Sequence, residues 1–132
     1  MRKFVALIPA RGGSKGIKNK NLVKINNKSI VEIAIDFAKK SKYFSKIILS
    51  SDKKKILDIG RNKKITIHNR DKKLSSDTSL LIETILNIKS LFNLNKNYTL
   101  IILEPTSPLR NMSDLTIAIK KMKNKKLDSY CT

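Results

Sequence analysis

Apolar residues along the chain are arranged in short runs that amphipathic segments separate. Residues 4–8 form a continuous apolar run, which is typical of a strand buried on both faces of a sheet. Residues 46–50, 65–68 and 98–104 are predicted as three further strands, of which the last is the most apolar segment of the chain. Residues 127–132 resemble the start of another strand.

The segments between these strands have helical periodicity. Ser29 and Glu32 fit the S-x-x-E capping box at the start of the first helix. Asp52 is predicted to cap a short helix that ends near Gly60, and Ser113 is predicted to cap the last helix. The predicted apolar faces are Ile30, Ile33, Ala34, Phe37 and Ala38 in the first helix, Ile56 and Ile59 in the second, and Leu115, Ala118, Ile119 and Met122 in the last. A longer helix is predicted over residues 79–92, with Ile82, Ile85, Leu86, Lys89 and Phe92 along one side.

Four strand-to-helix units joined by short connections predict an α/β fold with a mostly parallel sheet and helices on both faces. The sequence has no internal repeat and no Pro/Gly-rich linker, so a single domain over residues 1–132 is expected. In such sheets, ligands bind beyond the carboxyl ends of the strands. The candidate site therefore lies in the segments that follow Ile8, Leu49, His68 and Leu103.

The chain carries 29 Lys and Arg against 10 Asp and Glu, a net charge of +19. A basic module that binds RNA or a protein is therefore the alternative from outside the enzyme class. The basic residues are spread over the whole chain, however, and aromatic residues make up 5% of it with no Trp, so few side chains could stack on bases. Nucleic-acid binding is disfavoured, whereas the positive field would still attract a nucleoside triphosphate.

Other residue types limit the possible chemistry. Cys131 is the single cysteine, so it forms no internal disulfide and no metal site. His68, at a predicted strand end, is interpreted as a packed or exposed side chain rather than as a general base. Apolar stretches are too short for a membrane span or a signal peptide, and a cytoplasmic location is expected.

A glycine-rich basic loop follows the first strand directly. Residues 9–16 read Pro-Ala-Arg-Gly-Gly-Ser-Lys-Gly and contain three of the four glycines of the chain. Glycine lets backbone N–H groups approach phosphate oxygens, and Arg11, Lys15 and Lys20 add positive charge. The spacing matches neither GxxxxGK[ST] nor GxGxxG, so a P-loop and a dinucleotide fingerprint are both disfavoured.

Four segments together resemble the signature of the acylneuraminate cytidylyltransferases, the CMP-sialic acid synthetase type. All four follow predicted strands, in the family's order, and the resemblance covers essentially the whole chain. The segments are residues 8–17 with Lys20-Asn21-Leu22; Leu49-Ser50-Ser51-Asp52; Arg70 with Leu74-Ser75-Ser76-Asp77-Thr78-Ser79; and Leu103-Glu104-Pro105-Thr106-Ser107-Pro108-Leu109-Arg110.

The resemblance implies a Rossmann-like nucleotide-diphospho-sugar transferase fold and a nucleotidyltransferase. Such an enzyme transfers CMP from CTP to an acidic nonulosonic sugar of the sialic acid type and releases pyrophosphate. It also implies that Arg11 and Lys20 are catalytic, with Lys20 stabilising the α-phosphoryl group. The residues that it implies for the nucleotide are Ala10, Arg11, Gly12, Gly13, Ser14, Lys15, Gly16, Asn21, Arg70, Ser76, Asp77 and Ser79, and those for the sugar are Glu104, Thr106 and Ser107.

The chain also departs from the family's pattern. Glu104 stands where the family has a sugar-contacting Gln, and Lys18-Asn19 stand where a proline is usual. Family members continue further, with a dimerisation element and an aspartate pair that binds Mg²⁺. Mg²⁺ is therefore expected as the cofactor with its ligands outside this chain, the domain is expected to be C-terminally truncated, a homodimer is doubtful, and little synthetase activity is expected of the chain alone. The alternatives are a catalytically incomplete CTP-binding fragment and, within the enzyme class, a 3-deoxy-manno-octulosonate cytidylyltransferase, whose glycine loop lacks the Gly-Gly-Ser-Lys-Gly run.

Overall fold

The computed structural model describes residues 2–12, 19–75 and 80–124. The strands are β1 (Lys3–Pro9), β2 (Lys24–Ile25), β3 (Lys28–Ser29), β4 (Phe44–Ser51), β5 (Thr66–Asn69) and β6 (Tyr98–Ile102). The helices are α1 (Ile30–Ser41), α2 (Lys54–Asn62), α3 (Lys72–Ser75), α4 (Leu81–Leu91) and α5 (Met112–Asn124), and a 3-10 turn spans Lys20–Leu22. The strand predicted at residues 127–132 lies outside the described residues.

The main sheet is parallel, with the strand order β5-β4-β1-β6. Ile8 of β1 is in register with Leu49 of β4, and Leu7 is in register with Ile102 of β6. The chain proceeds outward from β1 through β4 to β5 and then crosses back to place β6 on the other side of β1. The connection that leaves β1 therefore runs to one side of that strand, and the connection that leads to β6 runs to the other side. A crevice is expected where the two directions separate, at the carboxyl ends of β1 and β6. The predicted parallel α/β architecture is confirmed.

Helices cover both faces of this sheet, as predicted. Successive residues of a strand point to opposite faces, so β1 needs apolar residues at every position when both faces are buried. This explains its continuous apolar run. On one face, Ala6, Ile8 and Leu49 pack with Val31, Ala34, Ile35 and Ala38 of α1 and Ile56 of α2, while Phe4 packs with Leu115, Ile119 and Met122 of α5. On the other face, Val5, Leu7 and Ile48 pack with Ile88 of α4.

The predicted capping box at the start of α1 is confirmed. The Glu32 N–H donates to Ser29 Oγ at 3.2 Å, and the Ser29 N–H donates to Glu32 Oε2 at 2.7 Å. The bond from the Ser29 backbone lowers the pKa of Glu32 below its ordinary value, with burial opposing it. The buried stripe of α1 is Ile30, Val31, Ala34, Ile35 and Ala38, so the predicted Ile33 and Phe37 lie at its edge and are only partly buried.

The other two predicted caps are wrong. Helix α2 begins at Lys54, so Lys53 rather than Asp52 is at its N-cap position, and no side chain caps it. The Asp52 carboxylate accepts a hydrogen bond from the Gly12 N–H instead. At the start of α5, Asn111 Oδ1 accepts from the Ser113 N–H at 2.9 Å and from Ser113 Oγ at 2.8 Å. Asn111 therefore caps this helix, and Ser113 lies inside its first turn.

Gly60 does not end α2, which continues to Asn62. A Cβ atom at this position would lie 2.9 Å from both Ile67 Cγ2 and Leu49 Cδ2 of the sheet. That separation is closer than carbon atoms normally approach one another. Gly60 is therefore needed because α2 packs tightly on β4 and β5, and its role is packing rather than termination.

The side of helix α4 that packs on the sheet differs from the side that the sequence predicted. Thr84 and Ile88 are fully buried, whereas Ile82 and Leu86 are 52% and 58% exposed. Apolar residues occur on several sides of this helix, so periodicity alone did not select its buried face. Ile85 and Phe92, from the predicted set, pack partly against the sheet.

None of the helices in the described part of the chain has the length and hydropathy of a membrane span.

Candidate functional site

A cavity of about 320 Å³ lies at the carboxyl ends of β1 and β6, in the crevice that the strand order creates. It is assembled from segments that are distant in sequence: the end of β1, the 3-10 turn, the residue after β5, the region of α3 and α4, and the loop after β6. Its lining residues are Pro9, Arg11, Lys20, Asn21, Arg70, Leu74, Leu80, Leu81, Thr84, Glu104, Pro105 and Thr106.

Six of the sequence-predicted site residues line this cavity. They are Arg11, Lys20, Asn21, Arg70, Glu104 and Thr106. Ala10 is buried outside the lining, and its N–H donates to the Ser50 carbonyl at 2.8 Å. Ser107 is outside the lining and donates its N–H to the Glu104 carbonyl at 3.1 Å. The predicted residues Gly13, Ser14, Lys15, Gly16, Ser76, Asp77 and Ser79 lie outside the described residues.

A second cavity of about 260 Å³ adjoins the first. Arg11 and Asn21 line both cavities, so the two meet at these side chains. The second cavity is strongly basic, because the exposed Lys53, Lys54 and Lys55 at the start of α2 line it. Gly12, from the predicted nucleotide-binding set, also lines it. The lysine run, interpreted from sequence as a solvated helix face, thus borders the candidate site.

Asp52 holds the start of the glycine loop. Its Oδ1 accepts the Gly12 N–H at 2.7 Å, which joins the end of β4 to the end of β1. Gly12 also packs closely on the stem of Lys53, since a Cβ at Gly12 would lie 1.9 Å from Lys53 Cγ. Sequence reasoning did not find this contact, because the two partners are forty positions apart and only the parallel pairing of β1 with β4 brings them together.

The 3-10 turn carries Lys20 and Asn21 to the cavity. Asn19 precedes it in the left-handed region with φ 55°, a conformation that Asn tolerates better than most residues. Asn21 Nδ2 donates to the Arg11 carbonyl at 2.8 Å, and Asn21 is 9% exposed. Asn21 therefore supports the backbone of Arg11, while Lys20 is exposed at the cavity wall.

Arg70 is the most deeply buried cation of the cavity, at 7% exposure. Its N–H extends the pairing of β5 by bonding the Ser51 carbonyl at 2.7 Å, and Nε donates to Ser50 Oγ at 3.2 Å. Its Nη2 is buried without a hydrogen-bond partner among the described residues. Burial lowers the pKa of Arg70 from its ordinary value, with Asp52 opposing and Arg11 adding to the decrease. Arginine remains charged despite such a decrease.

Thr84 provides a second buried polar atom at the cavity. The residue is fully buried, and Oγ1 has no hydrogen-bond partner within the described ranges. Sequence reasoning missed Thr84 because the predicted face of α4 was the wrong one. Unsatisfied buried groups are uncommon in folded proteins, and two of them at one cavity make it a candidate site for a polar ligand.

His68 lies behind Arg70 and is packed, as sequence reasoning predicted. It is 4% exposed; Nδ1 is 2.8 Å from Ser50 Oγ and Nε2 is 2.8 Å from Asn87 Oδ1. Burial lowers the pKa of His68 below its ordinary value, the bond to Asn87 opposes this decrease, and the charge of Arg70 adds to it. The imidazole is therefore neutral at neutral pH.

The loop after β6 forms the floor of the cavity. The Leu103 N–H bonds the Leu7 carbonyl at 2.8 Å, which continues the pairing of β1 with β6 up to Glu104. The Arg110 guanidinium donates to the Glu104 carbonyl, and it lies 5.9 Å from the centre of the Phe37 ring. Burial lowers the pKa of Arg110, and the charge of Glu104 opposes the decrease. The Arg110 side chain thus stabilises the loop on which Glu104 lies.

Cations dominate the cavity, and the described residues offer no obvious metal centre. No three His, Cys, Asp or Glu side chains within residues 2–12, 19–75 and 80–124 are grouped so that they could hold a metal ion. Asp52, at the edge of the site, is already bonded to Gly12. The donor set present fits an anionic, phosphate-bearing ligand better than a divalent cation.

Comparison with known proteins shows the family of the chain. A family model described as "Cytidylyltransferase" matches residues 5–132. N-acylneuraminate cytidylyltransferase of Escherichia coli is 31% identical over 118 residues, which are 89% of this chain and 28% of that protein. Pseudaminic acid cytidylyltransferase of Campylobacter jejuni is 34% identical over 122 residues, which are 90% of this chain and 53% of that protein. The chain thus spans between about a quarter and about half of the length of these relatives.

Among solved structures, CMP:2-keto-3-deoxy-manno-octonic acid synthetase complexed with CTP superimposes with a TM-score of 0.77. The sequence identity is 16%, and the match covers 94% of this chain and 48% of that one. At such identity the likeness concerns the fold alone. It confirms the predicted Rossmann-like nucleotidyltransferase fold.

Proposed function

This chain belongs to the cytidylyltransferase family, and on that premise we propose that its cavity binds CTP. The observation that carries the proposal is Arg70, which lines the cavity with Arg11 and Lys20 and whose buried Nη2 lacks a hydrogen-bond partner among the described residues. An unsatisfied buried donor costs about 1–3 kcal/mol, more when charged, and a bound nucleotide would remove this cost. Cytosine and phosphate oxygens are suitable acceptors.

The two adjoining cavities suggest how CTP lies. We propose that the base occupies the larger cavity near Arg70 and Thr84, and that the triphosphate extends past Arg11 toward the lysines at the start of α2. Arg11 lines both cavities, and a guanidinium can bind phosphate oxygens bidentately. The cationic surface of the second cavity would balance the charge of the triphosphate.

The reaction proposed for the whole protein is transfer of CMP from CTP to an acidic nonulosonic sugar. The sugar hydroxyl oxygen forms a bond to the α-phosphorus, the bond from that phosphorus to the leaving oxygen breaks, and pyrophosphate and a proton are released. Positioning and charge stabilisation dominate such displacements. Arg11 and Lys20 are proposed to stabilise the negative charge that develops on the phosphoryl oxygens.

The sugar is proposed to bind beside Glu104 and Thr106, with Ser107 close by on the same loop. The carboxylate of Glu104 can accept hydrogen bonds from sugar hydroxyls. It would repel the carboxylate of an acidic sugar, and nearby Arg110 offsets part of that repulsion. The named relatives act on N-acylneuraminate and pseudaminic acid, which supports an acidic sugar as the acceptor.

The family resemblance implies a requirement for Mg²⁺, but the described residues do not fit a magnesium site. Mg²⁺ prefers carboxylates together with substrate phosphates, and the described residues hold no grouping of three acidic or other metal-binding side chains. We therefore assign no metal ligand to them, and the roles proposed here belong to Arg11, Lys20, Asn21 and Arg70.

Calorimetric titration of the purified chain with CTP and with ATP tests the proposal. CTP is expected to bind. ATP is expected to bind much more weakly, because the larger cavity is proposed to hold the cytosine base and adenine would have to take its place. Titration with a short single-stranded RNA tests the basic-module alternative. Equal affinity for the two nucleotides, or strong salt-dependent RNA binding without CTP binding, would rule out a cytidine-selective site.

A further inference from the structure

A line of buried and partly buried polar side chains connects α4 to Arg70 across the end of the sheet. Asn87 lies on α4, His68 on β5 and Ser50 on β4. The successive distances are 2.8 Å from Asn87 Oδ1 to His68 Nε2, 2.8 Å from His68 Nδ1 to Ser50 Oγ, and 3.2 Å from Ser50 Oγ to Arg70 Nε. None of the roles assigned above uses His68, Ser50 or Asn87.

The chemistry of the two ends sets the direction of these bonds. Asn87 Oδ1 only accepts, so His68 Nε2 carries the proton and Nδ1 is left as an acceptor. Arg70 Nε only donates, so the oxygen of Ser50 accepts from it, and the hydroxyl proton of Ser50 is free to donate to His68 Nδ1. Every bond in the line is satisfied only when the imidazole is neutral and protonated on Nε2.

We propose that His68 is a positioning residue for nucleotide binding, acting through Ser50 on the guanidinium of Arg70. The inference rests on the proposed function, because Arg70 is the group taken to bind CTP. His68 does not touch the ligand. By holding the Ser50 hydroxyl in one rotamer, it keeps Nε of Arg70 in place, so that the guanidinium keeps its position at the cavity before the nucleotide arrives.

Protonation of His68 would break this arrangement. Nδ1 would become a donor, so Ser50 would face two donors and no acceptor, and a second positive charge would appear beside Arg70. Within the described residues, Arg70 is the charged group that bears on His68, while β4 presents the neutral Ser50 and α4 presents the neutral Asn87. Nucleotide affinity should therefore decrease at acidic pH.

Two substitutions separate positioning from general packing. In His68→Asn, the side-chain oxygen can take the place of Nδ1 as acceptor for Ser50, and the group no longer titrates. In His68→Leu, the acceptor is lost while apolar volume is kept. CTP affinity measured by calorimetry at pH 7.5 is expected to decrease about tenfold in His68→Leu, the equivalent of one ordinary hydrogen bond, and to be rescued in His68→Asn. Asn69→Ala, at the next and exposed position of β5, is the matched control.

The pH profile is the second readout. Wild-type affinity should decrease as the pH falls below 6.5, the ordinary pKa of the imidazole. Because the terminal phosphate of CTP also titrates near there, the profile of His68→Asn serves as the reference. The wild-type profile must fall more steeply than that reference. Parallel profiles would overturn the inference.

Nitrogen NMR of the protein without nucleotide distinguishes failure of this inference from failure of the proposed function. The imidazole should carry its proton on Nε2 at neutral pH, and the Arg70 Nε–H signal should shift in Ser50→Ala and in His68→Leu. If these signals behave as expected but CTP does not bind, the proposed function fails. If CTP binds to wild type and both variants equally, or if His68 is protonated on Nδ1, the inference fails alone. Should His68→Leu not fold, the small change Ser50→Ala carries the same test.

Discussion

Arg70→Met is expected to separate ligand binding from stability. Methionine is unbranched and flexible, so it can fill the volume of the arginine stem without the guanidinium. Among the described residues, the wild-type guanidinium makes one side-chain hydrogen bond, from Nε to Ser50 Oγ at 3.2 Å, and its Nη2 is buried and unpaired. The substitution removes both the favourable and the unfavourable interaction.

These two contributions are of similar size. A hydrogen bond from a charged donor contributes about 1.5–3 kcal/mol, and an unsatisfied buried donor costs about 1–3 kcal/mol. The free energy of unfolding of Arg70→Met should therefore lie within about 1 kcal/mol of the wild-type value, a small effect for a substitution at a buried residue. A nucleotide that accepts from Nη2 gains about 1.5–3 kcal/mol, so its loss should weaken CTP binding about 10- to 150-fold.

Urea denaturation of Arg70→Met gives the stability, and calorimetric titration with CTP gives the affinity. Arg61→Met is the control: Arg61 is exposed on α2 and paired with Asp58 at 2.6 Å, and neither quantity should change by much. The reasoning is refuted if Arg70→Met loses more than about 3 kcal/mol of stability while CTP affinity stays within about twofold of wild type. That result would make Arg70 a structural residue.

Three further substitutions test other parts of the site and the fold. Lys20→Ala should lower the turnover of an active, longer form by about 10²–10³ while changing CTP affinity less; steady-state kinetics measure both, and unchanged turnover would assign Lys20 to the surface. Asp52→Asn should weaken CTP binding in calorimetry, because the bond to the Gly12 N–H loses its charge; equal affinity would show that this bond does not order the loop. Gly60→Ala should reduce the free energy of unfolding by about 1–3 kcal/mol in urea denaturation, because its Cβ would lie 2.9 Å from two sheet side chains; a stability gain, as for an ordinary helical glycine, would contradict the packing argument.

Local sequence determined the features whose partners are close in the chain. The capping box joins Ser29 to Glu32 across three residues, so the pattern alone predicted both hydrogen bonds. The apolar run of β1 predicted a doubly buried strand, because burial on both faces requires an apolar residue at every position. The strand-to-helix alternation then predicted a parallel sheet and the end of it at which Arg11, Lys20 and Glu104 line the cavity.

Only the tertiary structure decided which of several possible partners a polar side chain takes. Asp52 could cap α2 or bind the Gly12 N–H forty positions away, and the pairing of β4 with β1 selected the second. Helix α4 has apolar residues on several sides, and packing on the sheet buried Thr84 and Ile88 rather than Ile82 and Leu86. The line of hydrogen bonds from Asn87 through His68 and Ser50 to Arg70 joins three elements. The sequence spacing of these residues does not predict it. Periodicity and capping depend on neighbours within a few residues, whereas these contacts depend on how strands and helices are placed against each other.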